Sequence, residues 1–361
     1  MRWHVLVAFG TRPEAIKLAP VIRELRRHRS SFRVSVLVTG QHREMLVPLL
    51  RLFKIKPGYD LGVMRTAQTL GDLSIRVLRG AGKVLAAEQP DVVLVQGDAT
   101  SAFAVALAAY YQRIPVGHVE AGLRTYDKYA PFPEELNRRF VSAIADIHFA
   151  PTPRAAENLQ REGVPAHACH VTGNTVIDAL LWTLHRERQR NDYWRQKYAF
   201  LGERPLVLIT GHRRENFGAG MEALCRAVAE LAQRLADVEF LYPVHLNPNV
   251  QEPVRRLLRK RERVHLVAPV PYPEFVWLMD RARLILTDSG GIQEEAPSLR
   301  RPVLVMRETT ERPEAVEAGA VELVGTDVER IVERTIALLC DPQQYAARQI
   351  DHNPYGDGRA A

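Results

Sequence analysis

Short apolar segments alternate with amphipathic segments along most of the chain, and this alternation restricts the folds that the chain can adopt. The predicted strands are His4–Phe9, Arg33–Val38, Val92–Gln96, Val116–Glu120, His148–Ala150, His170–Thr172, Leu206–Thr210, Glu239–Pro243, Val264–Leu266, Leu284–Thr287 and Val303–Met306. Helical periodicity fills most of the gaps, for example at Pro13–His28, Thr69–Gln89, Ser101–Gln112 and Met221–Ala236. Such alternation is typical of parallel sheets with helices on both faces, so the sequence predicts an α/β fold.

A long helical stretch near residues 173–204 separates the predicted strands into two sets. We therefore expect two doubly wound, Rossmann-like domains that face a cleft. The expected boundaries are 1–172 and 173–340, followed by a C-terminal tail, 341–361, that packs back toward the first domain. The length of 361 residues also favours two domains over one. Ligands of open parallel sheets bind beyond the carboxyl ends of the strands, which is where candidate site residues are expected.

Composition narrows the class of protein. No apolar run reaches the roughly 18 residues that a membrane span needs, and the N-terminus lacks the features of a secretory signal. Three widely separated cysteines without a C-x-x-C spacing fit a reducing cytoplasm. The net charge of +7 comes with only seven lysines among 49 basic residues, and such an excess of arginine suits anionic ligands. No nucleic-acid-binding motif accompanies that charge, so a nucleic-acid partner is not expected.

The segment from Asp288 to Leu299 carries the strongest signal for a ligand. Ser289, Gly290 and Gly291 lie where a predicted strand ends and a predicted helix begins, and such a junction favours a bound anion. Glu295 lies one turn into that helix, within reach of sugar hydroxyls. Arg312 follows the next predicted strand and would place a cation opposite the helix start. The pattern predicts a diphosphate site, although an ordinary strand–helix turn remains the alternative.

A second candidate ligand-binding segment, Gly10–Lys17, follows the first predicted strand. Pro13 suits the first position of a helix, which places Arg12 at the strand end and Lys17 one turn further. The turn is neither a Walker loop nor a G-x-G-x-x-G fingerprint, so a nicotinamide cofactor is not expected. The sequence predicts no other cofactor and no metal, because the spacing of His167, Cys169 and His170 matches no common metal site.

Three acidic residues follow strands or loops at one predicted sheet edge. Asp98 follows Val92–Gln96, Glu120 ends the next strand, and Glu134 precedes a helix in a proline-rich loop. Clustered carboxylates raise each other's pKa, which makes at least one of them a useful proton donor or acceptor near neutral pH. Helix capping is the alternative role for Glu134.

Three further side chains are candidates for a substrate site. His212, in Thr210–Asn216, follows a predicted strand and is flanked by glycine and two arginines, so it is a candidate phosphate donor or acid. His42 follows another strand and is a candidate to line the cleft. Phe275 is a candidate to cover a planar base, and a packing role is almost as well supported.

Taken together, these segments resemble the non-hydrolysing bacterial UDP-N-acetylglucosamine 2-epimerases. The resemblance covers nearly the whole chain in order. The matching stretches are Phe9–Lys17, Gln41–Met45, Val119–Thr125, Pro133–Glu135, Thr210–Glu215, Pro243–Pro248, Asp288–Leu299, Thr309–Glu314 and Asn353–Gly358.

The resemblance implies the GT-B fold, a homodimer, and conversion of UDP-N-acetylglucosamine (UDP-GlcNAc) to UDP-N-acetylmannosamine (UDP-ManNAc) for surface polysaccharides. It implies elimination of UDP to give 2-acetamidoglucal, followed by re-addition. The implied acid–base groups are Asp98, Glu120 and Glu134, with His212 close to the leaving phosphate. The implied substrate-binding residues are Arg12, Ser289, Gly290, Gly291 and Arg312 at the diphosphate, Glu295 at the ribose, Phe275 near the uracil, and Lys17 and His42 elsewhere in the cleft.

Three alternatives remain open at this stage. A GT-B glycosyltransferase would share the diphosphate site but would not need three acidic residues. A hydrolysing epimerase would release free N-acetylmannosamine. An inactive UDP-sugar sensor would be expected to lack Asp98, Glu120 or Glu134, all of which are present.

Overall fold

The computed structural model describes the chain apart from residues 1, 41, 42 and 66, and apart from the side chains of residues 43–45. His42 therefore lies outside the described residues. The strands are β1 Trp3–Phe9, β2 Phe32–Val38, β3 Tyr59–Asp60, β4 Val92–Gln96, β5 Val116–Val119, β6 Ile147–Ala150, β7 Cys169–Val171, β8 Leu206–Thr210, β9 Glu239–Pro243, β10 Val264–Val267, β11 Leu284–Thr287, β12 Val303–Val305 and β13 Val321–Leu323.

Helices connect nearly all of these strands. They are α1 Arg12–Arg27, α2 Arg43–Leu52, α3 Leu70–Glu88, α4 Thr100–Tyr111, α5 Glu134–Ile144, α6 Pro153–Arg161, α7 Thr175–Arg188, α8 Asn191–Lys197, α9 Ala219–Arg234, α10 Pro248–Leu258, α11 Tyr272–Arg281, α12 Gly290–Glu295, α13 Pro313–Glu317, α14 Val328–Cys340 and α15 Pro342–Ala347. Short 3₁₀ turns lie at Ala166–Ala168, Ala199–Leu201, Arg214–Asn216 and Ala296–Leu299.

The strands form two sheets, and every strand pair in them is parallel. The first sheet has the order β3-β2-β1-β4-β5-β6-β7, and the second has the order β10-β9-β8-β11-β12-β13. The predicted α/β class with two doubly wound sheets is confirmed. In each sheet the strand order reverses direction at one point, between β1 and β4 or between β8 and β11. Loops diverge there and leave a crevice for a ligand.

The chain divides into two compact units. Unit 1 comprises residues 1–179 and 355–361, and unit 2 comprises residues 180–354. The division falls within α7, and the last seven residues belong to unit 1 rather than to the unit that precedes them. Within the described residues, no helix combines the length and the apolar character that crossing a membrane requires.

Each unit has its own apolar core, built by strands that are buried on both faces. In unit 1, side chains of β4 such as Val93 and Val95 are fully buried against α3 and α4. In unit 2, Phe240 and Tyr242 of β9 are fully buried in a core that α9, α10 and α14 complete. Strands covered on both faces have continuous apolar sequences, which explains why sequence patterns located them well.

Local signals define where helices begin. At α3, the Thr69 hydroxyl accepts the backbone N–H of Asp72 (3.1 Å), and the Asp72 carboxylate accepts the N–H of Thr69 (3.1 Å). The strands at Val92–Gln96, Leu206–Thr210, Glu239–Pro243 and Leu284–Thr287 match their predicted bounds. The strands β3 and β13 were not predicted, because two or three residues are too few to show a period.

Candidate active site

The reversal of strand order in unit 1 brings two loops together. β1 ends at Phe9 beside β4, and the turn at Gly10 leads into α1, while Gly97 and Asp98 follow β4. A Cβ at Gly10 would lie 2.1 Å from Thr39 Oγ1 and 2.5 Å from Ser101 Oγ. Only glycine allows this close approach, so the turn is held tightly over the end of β1.

Glu120 directly follows β5 and is almost completely buried. Its carboxylate contacts Lys17 Nζ of α1 and accepts hydrogen bonds from Gln96 Nε2 and from Asn174 Nδ2, the latter at 2.9 Å. Glu120 has a φ of 63°, a left-handed conformation that non-glycine residues adopt at a cost of order 1–3 kcal/mol. A strained backbone, a cation and two amide donors together fix this carboxylate in one orientation.

Asp98 is held by the first half of α5. Arg138 forms an ion pair with its carboxylate, and Asn137 Nδ2 donates to its backbone carbonyl oxygen at 2.9 Å. Arg138 is buried, and it also lies 3.5 Å from Glu135. The sequence analysis missed Arg138, Gln96 and Asn174, because each is remote in sequence from the acid that it contacts.

The two adjacent acids at the start of α5 have different environments. Glu135 is fully buried, and its carboxylate accepts the backbone N–H groups of Thr125 and Tyr126, both at 3.1 Å. Glu134 is only partly buried and is the first residue of the helix. Glu135 therefore anchors the 125–126 segment, which leaves Glu134 as the candidate for chemistry.

The start of α1 carries an acid that the sequence analysis did not select. Glu14 is 2% exposed, and its Oε2 accepts the N–H groups of Gly10 (3.1 Å) and Thr11 (2.7 Å). Burial is the largest influence on Glu14 and raises its pKa to about 7. The two hydrogen bonds lower this pKa, whereas the charge of nearby Asp98 raises it. The T-x-x-E spacing of a capping box was the available signal. Arg12, the first residue of α1, is exposed.

In unit 2 the reversal of strand order joins the loop after β8 to the loop after β11. The buried carboxylate of Asp288 accepts the backbone N–H groups of His212 and Arg213, both at 2.8 Å. Ser289, Gly290 and Gly291 follow directly, with Gly290 as the first residue of α12. The predicted strand–turn–helix order is therefore present, although α12 is short and continues as a 3₁₀ turn.

Arginine side chains surround the start of α12. A Cβ at Gly290 would lie 2.5 Å from Arg312 Nη1 and 3.3 Å from Arg213 Nη2. Glu311 holds both guanidinium groups, with Arg312 at 2.6 Å and Arg213 at 3.4 Å, and Arg307 contacts it at 2.9 Å. Burial alone would raise the pKa of Glu311, but these guanidinium groups outweigh that effect and hold the pKa well below its usual range. Glu294 also holds Arg312 at 2.7 Å, so carboxylates fix the guanidinium groups of Arg312 and Arg213 beside Gly290, where they can meet an anion.

A residue of α11, the helix that carries Phe275, holds the Glu295 carboxylate. The hydroxyl of the half-buried Tyr272 donates to Glu295 Oε1 at 2.9 Å. Burial, and then the charge of Glu295, raise the pKa of Tyr272 well above its usual value, so the phenol stays protonated and keeps this bond. Phe275 lies on the same helix and is partly buried.

The structure thus groups the predicted residues by unit. Arg12, Lys17, Asp98, Glu120 and Glu134 belong to unit 1. His212, Phe275, Ser289, Gly290, Gly291, Glu295 and Arg312 belong to unit 2. His42 stays a prediction, because it lies outside the described residues. The functional roles of all these residues also stay predictions, which the following section develops.

Comparison with known proteins identifies the family. The family model described as UDP-N-acetylglucosamine 2-epimerase matches residues 23–361. A probable UDP-N-acetylglucosamine 2-epimerase of Ralstonia nicotianae is 55% identical over 99% of this chain and 96% of its own length. The UDP-N-acetylglucosamine 2-epimerase of Escherichia coli K12 is 54% identical, with the same coverage.

Solved structures agree with the sequence relatives. The crystal structure of UDP-GlcNAc 2-epimerase from Neisseria meningitidis bound to UDP-GlcNAc has a TM-score of 0.95 and 48% identity to this chain. The match covers 99% of this chain and 97% of that one. The resemblance predicted from sequence motifs is confirmed, and with it the GT-B-like fold. The chain belongs to the UDP-N-acetylglucosamine 2-epimerase family.

Proposed function

We propose that this chain interconverts UDP-GlcNAc and UDP-ManNAc by eliminating UDP and adding it back. The observation that carries the proposal is the family match along residues 23–361, together with relatives named for this reaction. The reaction is an isomerisation. The relative from Neisseria meningitidis is described with UDP-GlcNAc bound, which supports the same nucleotide sugar as the substrate here.

The chemistry explains why acidic residues are needed. The hydrogen at C2 of the sugar is not next to a carbonyl, so a simple base cannot remove it as an acidic proton. We propose that a carboxylate takes the C2 proton while the C1–O bond to the diphosphate breaks. The electron pair of that bond leaves with UDP, and a C1=C2 double bond forms in 2-acetamidoglucal. Re-addition of UDP at C1 with protonation of the opposite face of C2 gives the epimer.

Asp98, Glu120 and Glu134 are the proposed acid–base residues. Lys17 and Asn174 fix the Glu120 carboxylate, and Arg138 fixes that of Asp98, which supports two carboxylates with defined directions. Positioned acid–base groups are typically worth about 10²–10⁴ in rate. Lys17 is then a residue that acts through Glu120 as well as a substrate-binding candidate.

The diphosphate is proposed to bind at Ser289, Gly290, Gly291 and Arg312, with His212 beside the leaving oxygen and Arg12 as a further cation. Arg213 joins this set because its guanidinium group also approaches Gly290. Fixed cations stabilise the charge that develops on UDP as the C1–O bond breaks, and they do so without reorganising. Glu295 is proposed to bind the ribose hydroxyls and Phe275 to lie near the uracil.

Incubation of UDP-GlcNAc with the protein in D₂O tests this function, with products followed by NMR. We expect UDP-ManNAc that carries deuterium at C2, since the proton leaves the sugar and a solvent-derived one returns. UDP-ManNAc with only protium at C2 would overturn the mechanism. Free N-acetylmannosamine as the only product would indicate a hydrolysing enzyme, transfer only to an added acceptor would indicate a glycosyltransferase, and no turnover would indicate a sensor.

Variants connect the reaction to the proposed residues. Asp98→Asn, Glu120→Gln and Glu134→Gln should each slow epimerisation by about 10²–10⁴. Their affinity for UDP should persist, because none of the three side chains is among the proposed diphosphate residues, which apart from Arg12 all lie in unit 2. Glu157→Gln is a matched control in unit 1, since its side chain is 60% exposed on α6. If Glu157→Gln slowed turnover as much as the three proposed active-site variants, the assignment of Asp98, Glu120 and Glu134 as acid–base residues would be wrong.

We also propose that two copies of the chain form a homodimer. Several large apolar side chains on α3, α4 and α5 are 48–67% exposed, namely those of Ile75, Tyr110, Tyr111 and Phe140. An apolar surface of this kind supports association. Sedimentation velocity should give the mass of a dimer, and Tyr110→Glu with Tyr111→Glu should shift it to that of a monomer. A monomeric wild-type protein would contradict the proposal.

The proposed location is the cytoplasm, and the proposed pathway is the synthesis of surface polysaccharides. Support for the location comes from three cysteines that are all unpaired, Cys169, Cys225 and Cys340, each within the described part of the chain. Fractionation of cells followed by detection of the protein tests the location.

A further inference from the structure

Asp288 lies at the reversal of strand order in unit 2 and is fully buried. It directly follows β11 and directly precedes Ser289, the first of the residues proposed to bind diphosphate. A buried carboxylate is costly unless several donors satisfy it, so its partners indicate what it is there to hold.

One oxygen of Asp288 joins two loops. Oδ2 accepts the backbone N–H groups of His212 and Arg213, both at 2.8 Å, and lies 3.3 Å from Asn216 Nδ2. Asn216 Nδ2 also donates to the carbonyl oxygen of Met306 at 3.1 Å, after β12. The loops that follow β8 and β11 are therefore tied together by a single side chain.

The other oxygen of Asp288 faces the His212 ring. Oδ1 is 3.4 Å from His212 Nδ1, within ion-pair distance, and it has no hydrogen-bond partner within the described residues. The His212 side chain is 42% exposed, so its ring lies between a buried carboxylate and the solvent-accessible side where a ligand can bind. At this distance the negative charge of Asp288 attracts the ring and favours its charged form.

Other charged or titratable groups also surround this ring. His245, in the segment after β9, stacks on His212 with ring centroids 5.6 Å apart and an angle of 21°. Arg213 is the next residue in the loop, and its guanidinium group points to Glu311. The charge of Arg213 disfavours a positive charge on the His212 ring, whereas the negative charge of Asp288 favours it.

We propose that Asp288 is a positioning residue that holds His212 with Nδ1–H toward itself, which keeps the imidazolium form and directs Nε2–H to the leaving diphosphate. The proposal rests on the proposed function, because it assumes that His212 acts at that diphosphate. Asp288 would not touch the substrate. It would act through the direction and the charge of the ring, and it would keep the two loops in register.

Asp288→Asn separates this role from simple anchoring of the loops. The amide oxygen of asparagine still accepts backbone N–H groups, but the negative charge beside Nδ1 is gone. The imidazolium should then lose its proton at a lower pH, since an opposite charge within about 4–6 Å typically shifts a pKa by 1–3 units. We expect kcat to fall less than about tenfold at pH 6 and about 10- to 100-fold at pH 8. In a plot of kcat against pH, the decline on the alkaline side should therefore begin at a pH that is lower by about one unit or more.

Asn216→Ala is the matched control, because it weakens the same loop contacts and leaves the Asp288 charge in place. We expect any loss of kcat in this variant to be equal across pH 6–8. A ratio of wild-type to Asp288→Asn activity that does not change with pH would overturn the proposal and leave only an anchoring role.

A measurement without substrate keeps the inference independent of the reaction and of the variant's folding. The ¹⁵N chemical shifts of the His212 ring in the wild-type protein, assigned by comparison with His212→Gln, show which nitrogen keeps the proton in the neutral form. Protonated Nδ1 is the expected result, and protonated Nε2 with bare Nδ1 would refute the inference. If the wild-type protein did not epimerise UDP-GlcNAc, the proposed function would fail while these shifts still decided the role of Asp288.

Discussion

Glu14 gives the sharpest quantitative prediction, because its carboxyl is buried where a charge is unfavourable. Burial raises the pKa of Glu14 to about 7 from a usual value of 4.5. Below pH 4.5 the group is protonated in both the folded and the unfolded chain, so it has no effect on stability. As the pH rises, the unfolded chain loses this proton first, and the folded chain becomes less stable until the folded group also ionises near pH 7.

The size of the effect follows from the shift. A difference of about 2.5 pKa units, at 1.36 kcal/mol per unit, corresponds to about 3 kcal/mol of unfolding free energy lost between pH 4.5 and 7. Glu14→Gln removes this loss, since an amide does not titrate. The amide oxygen of the glutamine can still accept the N–H groups of Gly10 and Thr11. The amide NH₂ then takes the place of Glu14 Oε1, a buried oxygen that has no hydrogen-bond partner within the described residues. The protonated Glu14 already buries an O–H donor at this place, so the amide adds one further donor without a partner, which should cost about 1–3 kcal/mol.

We therefore expect the variant to be less stable than the wild-type protein at pH 5 and to gain on it by about 3 kcal/mol by pH 8. Urea unfolding measured by hydrogen–deuterium exchange of α1 peptides reports unit 1 separately from unit 2. Glu157→Gln is the control, because it makes the same substitution at an exposed side chain of unit 1. A difference in stability between the Glu14 variant and the wild-type protein that stayed constant from pH 5 to pH 8 would refute the reasoning.

Two further predictions concern the two candidate binding centres. Gly290→Ala should weaken UDP binding by about 10- to 100-fold in calorimetry, because its Cβ would lie 2.5 Å from Arg312 Nη1 and displace a charge-assisted contact worth about 1.5–3 kcal/mol. Gly71→Ala at the start of α3, where the nearest neighbour of the new Cβ is 3.6 Å away, is the control and should bind UDP as the wild type does. Lys17→Met should lower the unfolding free energy by about 3–5 kcal/mol, since it leaves the buried carboxylate of Glu120 without its cation. In a double-mutant cycle measured by denaturation, Lys17→Met combined with Glu120→Gln should cost less than the sum of the two single changes. Additive effects would contradict a coupled pair.

Sequence alone determined the architecture of this protein. Strands buried on both faces require continuous apolar runs, and the helices between them require amphipathic periodicity, so both are visible without a structure. The strand–glycine–helix turns were also visible, since the residues involved are adjacent in sequence. For this reason Gly10, Asp98, Glu120 and Ser289 were placed correctly at the ends of strands.

Only the tertiary structure decided which side chains meet. Arg138 reaches Asp98 across 40 positions, Asn174 reaches Glu120 across 54, and Asp288 reaches His212 across 76. No periodic pattern encodes such contacts, because they depend on the order of strands in the sheet and on the register between them. Likewise, the sequence singled out Glu134 without a physical reason to prefer it to Glu135, its chemically identical neighbour. Burial separates them, because a helix turns adjacent residues toward different surroundings by about 100°.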